Sequence, residues 1–197
     1  MSDIGQRIDD VIKTDLALRL KAESYHKSGR TFFRAAADHT CVVNVQGGKW
    51  NAGEEGSFAI NLGVYFPIVA ELGGGPVARG AFPKEYECSI HSRLGPLADD
   101  GRDYWWSVDA SDDIGRLARA VGTAWNDVGR PWFEKASSLS GAYEISCEQL
   151  LHFPAAILAL ALRERDKATG HLKTAIKRLP RGRARFEEWG KRHGLIT

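Results

Sequence analysis

Cysteine is scarce in this chain of 197 residues, and the few that occur are far apart. Cys41, Cys88 and Cys147 form no C-x-x-C pair. Their number and spacing suggest neither a disulfide framework nor a thiolate zinc site, so we expect free thiols in a reducing compartment. The amino terminus also lacks a basic stretch followed by an apolar one, which predicts no signal peptide. Together these features predict a cytoplasmic location.

Long apolar runs and catalytic signatures are missing as well. The longest apolar run, residues 153–162, is too short to cross a bilayer, so we expect no membrane partner. The chain has no G-x-S-x-G elbow and no G-x-x-x-x-G-K-[ST] loop, and its six histidines form no H-E-x-x-H pair. We therefore expect no cofactor and no metal. Enzyme status stays open at this point, because catalytic groups can converge from distant positions.

Charge is unevenly placed along the chain, although the net charge is only +2. Residues 163–197 hold 11 Lys and Arg against 4 Asp and Glu. The basic residues of interest there are Lys173, Lys177, Arg178, Arg181, Arg183 and Arg185. Such a segment can bind nucleic acid, or it can be the solvated face of a helix. The sequence favours the solvated face, because no helix-turn-helix or zinc signature accompanies the charges, and nucleic acid is the alternative.

The hydrophobic pattern changes period along the chain. Residues 3–23 carry apolar side chains at helical spacing, and residues 31–36, 40–46, 57–66 and 87–94 alternate as strands. A shorter strand is predicted near residues 103–108, a loop over residues 67–86, and helices from residue 111 onward. This order predicts an α+β fold: an antiparallel four- to five-stranded sheet packed by an N-terminal helix and a mid-chain helix. We predict a sheet domain over residues 1–140 and a C-terminal helical extension over residues 141–197. The extension would be an αα-hairpin and a basic terminal helix packed on the sheet domain.

Five short motifs follow one another in a characteristic order. They are KSGRTFFR at 27–34, VVNVQ at 42–46, FAINLGV at 58–64, CSIHSRLG at 88–95 and D-x-W-W at 103–106. With these motifs the chain resembles a bacterial family of domains of unknown function, the one numbered 4304, across roughly residues 10–135. Tyr25-His26 departs from the Gly-Phe expected at that point. The resemblance implies a shared fold and, by the family's own name, no activity.

Strand alternation predicts which side chains share each face of the sheet. If the two helices cover the face that holds Phe33, Val43, Ile60 and Ile90, the opposite face is specified too. We call it the open face, and its predicted members are Arg30, Phe32, Arg34, Asn44, Gln46, Asn61, His91 and Arg93. The assignment depends on register, because a slip of one residue in a strand exchanges its faces.

The predicted open face suggests a binding surface, because arginine and amide groups suit carboxylates, phosphates or the backbone of a partner. The alternative is a sheet face that is simply wetted by solvent. Trp105 and Trp106 could add an aromatic anchor, although neighbours in a strand point to opposite faces, so that only one can join this surface. We expect a non-catalytic module for a partner protein or a small anion. The alternative function is an enzyme for an anionic substrate, with His91 as acid–base group and Arg30, Arg34 and Arg93 as clamps.

Overall fold

The computed structural model of the chain describes residues 3–51, 54–74, 82–96 and 104–197. Within these ranges six strands form one antiparallel sheet in the order β1-β2-β3-β4-β5, and β6 pairs with β4. The strands are β1 His26–Ser28, β2 Thr31–Ala35, β3 Thr40–Gly47, β4 Glu55–Tyr65, β5 Ile90–Arg93 and β6 Trp106–Asp109. The predicted antiparallel sheet is confirmed, with β1 as a strand that the sequence analysis did not predict.

The long strand β4 organises the sheet. One of its edges pairs with β3, from Thr40 opposite Tyr65 to Gly47 opposite Phe58. Its other edge pairs first with β6 and then with β5. Its side chains are buried from Phe58 onward on both faces, so β4 is the central strand and both faces of the sheet are at least partly covered.

The amino-terminal helix forms as its apolar spacing predicts. It consists of α1 Asp3–Val11, a π-helical turn Ile12–Leu16 and α2 Ala17–Ala22. Its apolar stripe is buried against the sheet: Ile4, Ile8, Val11, Ile12, Leu16 and Leu20. The π-turn shifts the spacing by one residue without exposing the stripe, since residues on both sides of the turn are buried.

The remaining helices follow the predicted α+β order. They are α3 Pro67–Gly73, α4 Ile114–Ala124, α5 Arg130–Ala136, α6 Leu139–Glu148, α7 His152–Ala161, α8 Arg165–Arg178 and α9 Arg183–Arg192, with a π-turn Trp125–Gly129 between α4 and α5. The α+β fold with a C-terminal helical extension is therefore confirmed. The loop predicted over residues 67–86 is wrong in its first part. Pro67 begins α3, and Gly74, with φ of 63°, ends it in the left-handed conformation.

One apolar core unites the sheet and the helices. It contains Phe32, Val43 and Ile60 of the sheet together with Trp125 after α4 and Trp189 of α9. The Trp189 Nε1–H donates to the carbonyl of Leu72 at 2.7 Å, which links the last helix to α3. The division at residue 140 stays a prediction. Over the part of the chain that is described, no helix combines the length and apolarity that a bilayer span requires.

Candidate functional site

A row of polar side chains crosses the open face of the sheet. Thr31 of β2 lies opposite Asn44 of β3, Asn44 opposite Asn61 of β4, and Asn61 opposite Arg93 of β5. Residues opposite each other in an antiparallel ladder have their side chains on the same face, only about 5 Å apart. Four neighbouring strands therefore contribute one residue each to a continuous row, which we call the polar row.

Hydrogen bonds hold the polar row in place. Asn44 Nδ2 donates to Thr31 Oγ1 at 2.9 Å, and Asn61 Nδ2 donates to Gln46 Oε1 at 3.2 Å. Asn61 is only 5% exposed, so its position is fixed by packing as well. The guanidinium of Arg93 lies over the Trp105 ring, 4.9 Å from its centroid. The row thus brings amide, hydroxyl and guanidinium groups together on one sheet, and its half-buried members, Thr31, Asn44 and Arg93, are of a kind that suits carboxylate or peptide groups.

A short segment, residues 82–89, covers the part of the open face that does not carry the polar row. Phe82 stacks on Phe33 with ring centroids 4.5 Å apart, and Cys88 is buried against the bare backbone of Gly63. Burial raises the pKa of the Cys88 thiol, which keeps it protonated. His91 Nδ1 lies 3.1 Å from Glu85 Oε1 of the same segment. The open face is therefore divided into an apolar half under this segment and the half that carries the polar row.

Strand β2 faces the opposite way from the prediction. Phe32 pairs with Val43 in the core under the helices, whereas Phe33 pairs with Val42 in a second, smaller apolar cluster that also contains Tyr65 and Cys88. The predicted places of Arg30 and Arg34 on the open face are therefore wrong. Both side chains lie on the helix-covered face, since they alternate with Phe33 and share the face of Phe32.

The contacts of these two arginines agree with that placement. Arg30 Nε donates to Asp9 Oδ1 and its Nη2 to the carbonyl of Gly5, both at 2.7 Å, so it ties the β1–β2 turn to α1. The Arg34 guanidinium lies 4.8 Å from the centroid of the buried Tyr25 ring. The error has a simple cause: alternation cannot choose between two adjacent phenylalanines, and both turn out to be buried.

The other predicted members do come together. Asn44, Asn61 and Arg93 belong to the polar row itself, while Gln46 is exposed beside it and His91 lies two residues before Arg93 in β5, opposite Gly63. Their role in binding stays a prediction.

The tryptophan pair divides as predicted. Trp106 is in the core, 4% exposed, and donates from Nε1 to the carbonyl of Leu94 at 3.0 Å. Trp105 is half-buried beside Arg93. Only Trp105 is therefore available to the open face.

Trp50 is a candidate site residue that the sequence analysis missed. It follows β3 in a turn and is 83% exposed, with Lys49 Nζ 5.0 Å from its ring centroid. Trp50 and Trp105 line one groove of about 590 Å³, together with Asn51 and Ser57. The signal was present in the sequence, because a tryptophan next to Gly47-Gly48-Lys49 stands in a turn where no core can receive it.

The chemistry required by the enzyme alternative does not converge. His91 is exposed, whereas Arg30 and Arg34 contact Asp9 and Tyr25 on the other side of the sheet. Two of the three proposed substrate clamps thus lie across the sheet from the imidazole. Among the residues whose positions are described, no three His, Cys, Asp or Glu side chains group as metal ligands would.

A second polar cluster lies in the helical extension. Tyr143 Oη is 3.0 Å from His171 Nε2, and Cys147 Sγ is 3.6 Å from the same nitrogen. Burial, and next the neighbouring His152, lower the pKa of His171, which favours its neutral ring. Burial raises the pKa of Tyr143 to about 12. The cluster links α6, α7 and α8.

The six basic side chains of the C-terminal segment are all exposed, on α8, α9 and the turn between them. This placement fits a solvated helix face and leaves nucleic-acid binding untested.

Comparison with known proteins gives one match. A family model described as "Domain of unknown function (DUF4304)" matches residues 16–135. The matched segment begins within the π-turn of the first helix and ends in α5, so it includes the whole sheet and the polar row. No curated protein and no solved structure matches the chain.

Proposed function

The chain belongs to the DUF4304 family, and from that premise we propose that it is a binding module that receives a partner protein on the open half of its sheet. The observation that carries the proposal is the polar row, which crosses four strands and ends at Arg93 against Trp105. Arginine and tryptophan, which meet at the end of this row, are among the residues enriched at protein-binding surfaces.

Trp50 supports a protein as the ligand. A side chain of this size that is 83% exposed leaves a large apolar area in water, and tryptophan is enriched among the residues that dominate binding energy at interfaces. Trp50 and Trp105 lie along one groove beside the polar row. A partner that covered both rings would bury apolar area while the row oriented it.

A cytoplasmic location and a bacterial source belong to the same proposal. The free thiols of Cys41, Cys88 and Cys147 support the location, because cysteines of proteins in oxidising compartments commonly form disulfides. The resemblance of the motifs to a bacterial family supports the source.

The test compares variants of the full chain as affinity baits. We expect Trp50→Ala to lose a partner that the unchanged protein retains, without loss of stability, because the ring is mostly in water. Leu179→Ala is the matched control, since Leu179 is 49% exposed on the distant helical extension. The captured partner is then purified, and its affinity for both variants is measured by calorimetry. Equal affinity for the Trp50→Ala variant and the unchanged protein would refute this role of the open face.

A small anion at Arg93 is tested separately. Thermal shift with phosphate, sulfate and citrate is compared between Arg93→Gln and Arg116→Gln, the latter being a control on α4 whose side chain is 76% exposed. If the stabilisation disappears only in Arg93→Gln, and partner binding is unchanged in Trp50→Ala, the ligand of the open face is an anion and not a protein.

A further inference from the structure

A second groove lies on the other side of the molecule, between the first helix and the edge strand β1. Its volume is about 780 Å³. Lys13, Leu18 and Lys21 line it from the helix, and His26 and Lys27 line it from β1. The groove lies on the helix side of the sheet, so it is separate from the polar row.

The rim of this groove is strongly basic. Lys13, Lys21 and Lys27 are exposed, and within the described parts of the chain none of their ammonium groups lies within 4.0 Å of a carboxylate. The nearby carboxylate, Asp9, is bound to Arg30, and this hydrogen bond lowers the pKa of Asp9. Asp9 also lies within electrostatic range of Lys13 and Lys27, but its hydrogen bond is to Arg30, so the rim keeps an excess of positive charge that favours an acidic ligand.

The groove also offers apolar contact. Leu18 lies on the rim of the groove and is 62% exposed, whereas the apolar stripe of the same helix is buried. Phe32 and Tyr25 lie beneath, 2% and 5% exposed, and give the groove an aromatic floor. An apolar side chain of a ligand can therefore be buried between Leu18 and this floor.

The strand edge supplies the third element. β1 stands at the end of the strand order, and its three residues are all exposed. The outer backbone groups of an edge strand are available to a further strand. Three residues span only about 10 Å, which suits a short pairing segment.

Contacts between its walls hold the groove in shape. Arg30 binds Asp9 and the carbonyl of Gly5, and thereby fixes the β1–β2 turn against α1. The π-turn Ile12–Leu16, a feature often found at functional sites, carries Lys13 at this wall. A preformed site of this kind costs little ordering on binding.

We propose that this groove binds an extended acidic segment of a partner protein, which adds to β1 as a further strand. Its carboxylates lie against Lys13, Lys21 and Lys27, and one apolar side chain enters between Leu18 and Phe32. Main-chain pairing supplies affinity and the two kinds of side chain supply specificity. A nucleic acid would use the lysines but neither Leu18 nor the strand edge, and an anionic membrane would leave the edge without a partner.

The experiment selects ligands from a random eight-residue peptide library displayed on phage, with the immobilised full chain as target. We expect the enriched peptides to carry acidic residues and one aliphatic residue at every second position, because only every second side chain of an added strand faces the groove. The best peptide is then synthesised with a fluorescent label, and its Kd is measured by fluorescence polarisation. Lys21→Glu with Lys27→Glu should weaken binding at least about tenfold, as should Leu18→Ser. Lys173→Glu with Lys177→Glu on α8 is the charge-matched control and should bind as the unchanged protein does.

Backbone pairing is tested with the same peptide N-methylated at alternate residues, which keeps its side chains and removes donors. In one of the two methylation registers we expect a loss of at least about tenfold. Duplex DNA and phosphatidylglycerol vesicles are measured in parallel. Enriched peptides without acidic residues, or equal binding in both methylation registers, would overturn the proposal. Binding of DNA or vesicles through Lys21 and Lys27, in the absence of any peptide that binds, would overturn the proposal as well. None of these variants alters the open face, so this proposal and the proposed function can fail separately.

Discussion

Replacement of Gly63 by alanine should lift residues 82–89 away from the sheet. A Cβ at this position would lie 2.7 Å from Cys88 Sγ and 2.9 Å from Cys88 Cβ, where ordinary contact begins at 3.4 Å. Gly63 is in β4 with no positive φ, so the backbone itself accepts alanine and only the contact opposes it. The covering segment must therefore move, and the Phe33–Phe82 stack moves with it.

The magnitude follows from two opposing effects. Forcing a methyl group into a filled core costs about 1–3 kcal/mol. Alanine loses less conformational freedom than glycine on folding, which stabilises the variant by about 0.5–1 kcal/mol. The net loss is then up to about 2.5 kcal/mol, or a decrease in Tm of up to about 10 °C for a chain of this size. We expect a clear loss by chemical denaturation.

A control and a double mutant make the result specific. Gly170→Ala in the exposed middle of α8 meets nothing within 4 Å, so it should stabilise the protein by about 0.5–1 kcal/mol. Cys88→Gly removes both contacting atoms and should cancel most of the cost of Gly63→Ala. Labelling with a thiol reagent, read by peptide mass spectrometry, should show faster modification of Cys88 in Gly63→Ala. A stabilised Gly63→Ala, or costs that simply add in the double mutant, would refute the proposed packing.

Three further predictions follow from other parts of the structure. Because burial lowers the pKa of His171 below 6.5, the folded state binds fewer protons there than the unfolded chain; the free energy of unfolding should therefore fall as pH drops below about 6.5, and His171→Gln should flatten this slope in denaturation series. Arg30→Met should cost about 1–3 kcal/mol in the same assay, since it breaks two hydrogen bonds from the β1–β2 turn to α1, and a cost equal to that of the exposed Arg116→Met would argue against this tie. Truncation after Pro180 should leave the chain unfolded by circular dichroism, because it removes Trp189 from the core, and a folded truncated chain would contradict the packing of α9. Nucleic-acid binding is therefore tested in the full chain, by neutralising the exposed cations of α8.

The polar row shows how a candidate site can be predicted in part. Asn44 and Asn61 each stand between two apolar residues of their strands, Val43 and Val45 or Ile60 and Leu62, so their common face followed from the sequence. Phe32 and Phe33 give β2 no such alternation, and the two arginines that flank them were assigned to the wrong face. Trp50 was missed for another reason: the analysis followed strand periodicity, which says nothing about turns, although the glycines beside Trp50 marked a turn.

The sequence by itself determined the α+β order of the elements, the apolar stripe of the first helix and the alternating strands, because these depend on local spacing along the chain. Tertiary structure alone decided which face β2 presents, that residues 82–89 cover half of the open face, and that Lys13, Lys21 and Lys27 border one groove. The physical reason is that such choices depend on contacts between residues distant in sequence. Two buried phenylalanines can each find a partner, Val43 on one face and Phe82 on the other, and only the packed molecule decides between them.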